Sequence, residues 1–153
     1  MLEFITGYGI LLIYFAVCAS AALLLRRFVS VHMEVFRKTL HLILLGSILV
    51  FTYAFMTWWI SAMAAVVFIV MVYPILVFAE RIPGYSELLT ERKCGEIKSS
   101  LVVVFSMFAV LICVCWGWIG EKYLVIASVF AWGLGDAAAA LVGIRLGRHY
   151  IEG

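Results

Sequence analysis

The hydrophobic positions of this chain come in long blocks cut by short charged clusters. The block 8–25 is almost wholly apolar and ends at Arg26-Arg27. The next block, from Thr39 to Ala79, is nearly uncharged and about twice the ~20 residues that one helical crossing of a bilayer takes. As a single helix it would extend ~60 Å, against a hydrocarbon core of ~30 Å, so it is expected to fold back on itself. Thr57-Trp58-Trp59 is the expected turn, because tryptophan favours the membrane interface. Two more apolar blocks follow. The predicted spans are 8–25, 39–57, 59–79, 100–118 and 123–142, with Pro74 expected to kink the third near its end.

The stretch 80–99, between the third and fourth spans, is the one long hydrophilic segment. Pro83-Gly84 marks a turn in it, and residues 86–93 are expected to form a short amphipathic helix at the membrane surface. No internal repeat or low-complexity segment interrupts the pattern. Composition agrees with the blocks: 67% of the 153 residues are hydrophobic, 13% are charged and the mean hydropathy is +1.17. A water-soluble domain of this length cannot bury so much apolar surface. The expected fold is a single all-α membrane domain, a polytopic helix bundle of about five spans. The N-terminal block is expected to be a span rather than a cleavable leader, since Glu3 replaces a basic leading region and the apolar run is too long.

Net charge is a modest +2, but its placement is informative. Arg26, Arg27, Arg37 and Lys38 lie between spans one and two, and Arg81, Arg92, Lys93 and Lys98 between spans three and four. Arg145 and Arg148 follow span five, which leaves only Lys122 on the opposite side. The positive-inside rule then sets the N-terminus outside and the C-terminus in the cytoplasm. With no exposed basic domain, a nucleic-acid partner is not expected. The four cysteines, Cys18, Cys94, Cys113 and Cys115, have neither disulfide nor zinc spacing. Cys113 and Cys115 sit about 200° apart around a helix and read as small membrane hydrophobes.

Three polar clusters remain, all on the predicted cytoplasmic side. Glu34, Arg37, Lys38 and His41 fall at i, i+3, i+4 and i+7 and share one helical face, with His41 one turn inside the apolar zone. An interfacial anchor with snorkelling bases is one reading of that stripe. Glu91, Arg92, Glu96 and Lys98 surround Gly95, as a phosphate and metal site or as a solvated loop. Asp136 stands in the fifth span, where a carboxylate costs a few kcal/mol unless it faces a partner or polar cavity. Around it Gly135, Ala139, Gly143 and Gly147 recur every four positions, a stripe that admits another backbone closely. Asp136 is therefore either salt-bridged to a base such as Arg37 or Lys38 in tight helix packing, or placed to hold a divalent cation near phosphate. Together the clusters suit a polyanionic ligand with Mg²⁺ and an apolar co-substrate from the lipid. The GxxxxGK[ST] phosphate loop, the HExxH zinc motif, the GxSxG elbow and the protein-kinase motifs do not occur.

Three patterns occur in order: E-x-x-R-K-x-x-H (Glu34, Arg37, Lys38, His41), R-x-x-G-E (Arg92, Gly95, Glu96) and G-D-x-x-A-x-x-x-G-x-x-x-G (Gly135, Asp136, Ala139, Gly143, Gly147). From about Glu34 to Gly153 the chain resembles the polyprenol kinase family, which includes dolichol, phytol and farnesol kinases and CTP-dependent diacylglycerol kinases. The resemblance implies CTP as phosphoryl donor, Mg²⁺, and an isoprenoid alcohol or diacylglycerol as acceptor. It implies Asp136 and Glu96 at the metal, and Arg37, Lys38 and Arg92 on phosphates. Ala139, Gly143 and Gly147 would allow close approach of the nucleotide, with His41 orienting or deprotonating the lipid hydroxyl. The ending is also similar to phosphatidate cytidylyltransferase, which likewise uses CTP and Mg²⁺. In both families the glycine stretch runs on into a basic segment and a further helix. The resemblance therefore implies a further C-terminal segment, or a second copy of the chain in an oligomer, to complete the site. A small transporter or scaffold is the non-enzymatic alternative.

Overall fold

In lipid no water is at hand for an open N–H or C=O group, so a spanning backbone must satisfy its hydrogen bonds within itself. The chain does this with helices. A computed structural model describes residues 1–28, 33–81 and 95–146. Among them five α-helices follow one another: α1 Leu2–Phe28, α2 Met33–Tyr53, α3 Trp58–Ala79, α4 Glu96–Leu111 and α5 Lys122–Leu146. A π-helical segment, Ile112–Trp118, prolongs α4. Four stretches are long and apolar enough to cross a membrane: Leu2–Leu25, Val35–Tyr53, Trp58–Ala79 and Ile97–Trp118. The fifth predicted span lies within α5, which also carries Asp136.

The helices outrun the apolar blocks. Met33–Leu40 of α2 and Glu96–Ser99 of α4 are helical although charged, because helical hydrogen bonding does not stop where hydropathy falls. The turn between α2 and α3 falls at residues 54–57, and Trp58 and Trp59 open α3 rather than occupy the turn. Glu3 of α1 accounts for that register. Its carboxylate accepts from the Met56 and Thr57 N–H groups at 2.8 and 2.9 Å and from the Thr57 hydroxyl at 3.1 Å. It thereby satisfies donors at the start of α3, where Thr57 makes no cap of its own. α3 continues through Pro74 to Ala79. The π segment ends at Trp118, and two residues on Gly120, with φ 87°, takes the left-handed conformation that follows many helix ends. The expected amphipathic helix at 86–93 lies outside the described residues.

The helices form a ring: α1 on α2, α2 on α5, α5 on the π segment, that segment and α4 on α3, and α3 back on α1. Its centre is aromatic. Phe105 stacks on Phe68 at 4.6 Å between ring centroids and meets Phe51 edge-on at 5.7 Å, with Phe108 beside it at 5.5 Å. Buried hydroxyls donate to helix carbonyls, Thr52 to Ile48 at 2.9 Å and Ser61 to Phe51 at 2.8 Å, so they enter the core without an unmet hydrogen bond. The Tyr14 hydroxyl crosses from α1 to the Ile43 carbonyl at 2.8 Å and lies against Gly46, where any Cβ would collide with it. The outside is apolar too: Val70, Val103 and Val110 are each about 60% exposed. Such a surface suits lipid and not water.

Candidate functional site

The aromatic centre fills one part of the ring and stops short of one end. There the ring encloses a cavity of about 530 Å³. It lies at the end formed by the start of α2, the close of α3, the start of α4 and the second half of α5. One stripe of α1 (Leu12, Phe15, Ala19) and one of α3 (Phe68, Val72, Leu76) make its apolar walls. The spacings are i, i+3, i+7 and i, i+4, i+8, a single face of each helix. α2 contributes both apolar and polar lining, including Arg37, Lys38 and His41; α4 adds Ser100, and α5 adds Asp136.

Lys38 Nζ donates to Asp136 Oδ2 at 3.1 Å, joining residues 98 positions apart. Asp136 keeps 54% of its side chain exposed and Lys38 18%. The contact thus has the geometry of the salt-bridged alternative raised from the sequence, while more than half of the carboxylate's side chain remains open. An ion pair this exposed contributes on the order of 1 kcal/mol or less. His41 is half-buried, its ring 6.1 Å from that of Trp132, and its Nε2 is buried without a hydrogen-bond partner among the described residues. A polar atom left so costs ~1–3 kcal/mol relative to a satisfied one.

The structure therefore brings Arg37, Lys38, His41 and Asp136 to one mouth. The other expected site residues are distributed differently. Glu96 is the first residue of α4, directly before the cavity-lining Ile97, and its side chain lies outside the described set. Arg92 and Gly147 also lie outside it. Ala139 and Gly143 are on α5 but exposed and away from the cavity, and a Cβ on Gly143 or on Gly135 would meet nothing within 4 Å. The close approach of α5 to α2 occurs instead at Gly133, where a Cβ would overlap Leu45. Among the described residues no three His, Cys, Asp or Glu side chains converge as a metal cage. Mg²⁺ commonly takes one or two carboxylates plus ligand phosphates, and the open Asp136 side chain fits that mode.

Two features went unread in the sequence. Lys98 Nζ donates to Glu80 Oε2 at 2.8 Å and lies 5.8 Å from the centre of the Tyr73 ring, clamping the end of α3 to the start of α4 beside the cavity. An acid and a base 18 residues apart across a hydrophilic segment were the available signal. The apolar lining gave none, since a side chain facing a cavity and one facing lipid are equally hydrophobic. Comparison of the chain with protein-family models, with curated proteins and with solved structures finds no match.

Proposed function

We propose that this protein is a membrane-embedded, CTP-dependent lipid kinase, transferring the γ-phosphoryl group of the nucleotide to the hydroxyl of an isoprenoid alcohol or a similar lipid alcohol. One observation carries the reading: an apolar cavity within the helix ring opens at a mouth where Arg37, Lys38, His41 and Asp136 meet. A lipid alcohol has the matching polarity, an apolar tail with one hydroxyl at its end. The choice of CTP rests on the sequence resemblance of α5 and of the Arg37-Lys38-x-x-His41 stripe.

Phosphoryl transfer asks mainly for positioning and charge neutralisation. In this reading Arg37, Lys38 and Arg92 meet phosphate oxygens, and Asp136 with Glu96 holds the cation. Mg²⁺ bound there would neutralise the nucleotide phosphates. The lipid oxygen forms a bond to the γ-phosphorus while the bond from that phosphorus to the β–γ bridging oxygen breaks, releasing CDP. The hydroxyl proton passes to the imidazole of His41, which lines the cavity. The Lys38–Asp136 contact supports a second, non-enzymatic reading, in which the pair only joins α2 to α5.

The test is turnover of γ-labelled CTP with Mg²⁺ and detergent-solubilised alcohols. Labelled lipid phosphate and CDP are expected, with at least a hundredfold loss for Asp136→Asn. Pyrophosphate release with phosphatidic acid would indicate cytidylyl transfer instead. Full turnover by Asp136→Asn would sink the assignment of that residue, and indifference to nucleotide in both turnover and thermal stability would leave the scaffold reading.

A further inference from the structure

The inner end of the cavity is lined by two rings and by Leu12, one turn beyond Phe15 on α1. Phe15 of α1 and Phe68 of α3 both line it, and they stack on each other with centroids 4.8 Å apart. Behind them Phe105, fully buried, stacks on Phe68 at 4.6 Å and lies 6.1 Å from Phe15. Beyond Phe105 come Phe51 and Phe108, also fully buried. A tail entering from the charged mouth runs into this aromatic block, and an extra carbon there has to displace close-packed rings.

The depth follows from α3: Leu76 and Phe68, which both line the cavity, are eight residues apart, ~12 Å of helix and enough for roughly two to three isoprene units. On the proposed lipid-kinase reading, we infer that Phe15 and Phe68 are a length gauge: they limit the acceptor to a short tail, whose far end abuts their rings. Longer tails are disfavoured because their ends meet the floor before the hydroxyl reaches His41.

The experiment compares geraniol, farnesol and geranylgeraniol, which differ by one isoprene unit each, as phosphoryl acceptors and as binders. Binding is read separately from turnover, by photo-crosslinking a farnesol with a diazirine at its tail end and mapping the labelled peptides. The unsubstituted protein is expected to use geraniol and farnesol over geranylgeraniol, and to be labelled in the peptides holding Phe15 and Phe68. Phe15→Ala, on the half-buried side of the floor, is expected to raise the geranylgeraniol-to-geraniol turnover ratio about tenfold. Phe68→Leu keeps more of the core volume and should shift the ratio in the same direction should the alanine variant not fold. Val72→Phe, which fills the cavity above the floor, should shift it towards geraniol.

An unchanged ratio in these variants, in a protein that phosphorylates alcohols, overturns the gauge and leaves the kinase reading standing. Crosslinking at the floor with the expected length dependence but no phosphoryl transfer supports the gauge and overturns the kinase reading. Absence of both labelling and turnover with every alcohol overturns both.

Discussion

Lys38 and Asp136 are the residues at which a structural and a chemical role make opposite predictions. If the pair serves only to join α2 to α5, the identity of the charge on each helix does not matter. If Asp136 holds a cation on a nucleotide, the carboxylate has to come from α5. The charge swap Lys38→Asp with Asp136→Lys separates the two. Each single substitution replaces the attractive pair with two like charges on facing helices and is expected to lower the melting temperature. The double swap is expected to recover stability to within ~1 kcal/mol, the scale of an exposed pair, while phosphoryl transfer stays lost. Recovery of activity together with stability would reduce the pair to packing. The polar residues of this mouth were legible beforehand because their signals are local or stand out against the background. Arg37, Lys38 and His41 share a face by helical spacing alone, and Asp136 is an acid within an apolar run. Phe15 and Phe68 were not legible, because the sequence does not distinguish an apolar side chain that faces lipid from one that faces a cavity or the core.

At the scale of the helix, the small-residue stripe of α5 and its close approach to α2 fall on different faces. Its four-residue rhythm of small side chains points to a packing face through Gly135, Ala139 and Gly143. In the structure Gly135 and Gly143 look onto open space, and the contact with α2 is made at Gly133, two positions earlier and so about 200° around the helix from Gly135. The rhythm marks where small residues are, but only the neighbour's shape determines which of them is needed. At Gly133 that neighbour is the side chain of Leu45, which is fully buried in the core. Gly133→Ala gains ~1 kcal/mol of helix propensity against ~1–3 kcal/mol for overpacking a filled core. A net loss of up to ~2 kcal/mol is expected, read as a lower unfolding midpoint in detergent. Gly135→Ala has the propensity gain without the collision, so its midpoint should hold or rise. A drop of equal size in both variants would mean that the face through Gly135 packs as its rhythm suggests.

For the molecule as a whole, the helical fold and its suitability for a membrane could be read from the apolar blocks, since both follow from mean hydropathy. The helix ends could not, because charged turns such as Glu96–Ser99 remain helical beyond the apolar core. The direction of insertion is the quantity on which the chemistry depends. The cavity mouth shares its end of the bundle with Arg37, Lys38, Arg81 and Lys98, and the opposite end holds Lys122 and the short connection through Gly120. The charge rule leads to the expectation that the mouth faces the cytoplasm, the compartment that supplies nucleoside triphosphate. Single cysteines placed at Arg81 and at Glu121, in a chain freed of its own four, read this directly. Glu121→Cys is expected to react with a membrane-impermeant maleimide on intact cells, and Arg81→Cys only after permeabilisation. Both positions are at helix ends and away from the cavity lining, so neither substitution disturbs the site it reports on. The reverse pattern would open Lys38 and Asp136 to the outside, where CTP is scarce, and a nucleotide-dependent kinase would no longer be tenable whatever the geometry of the mouth.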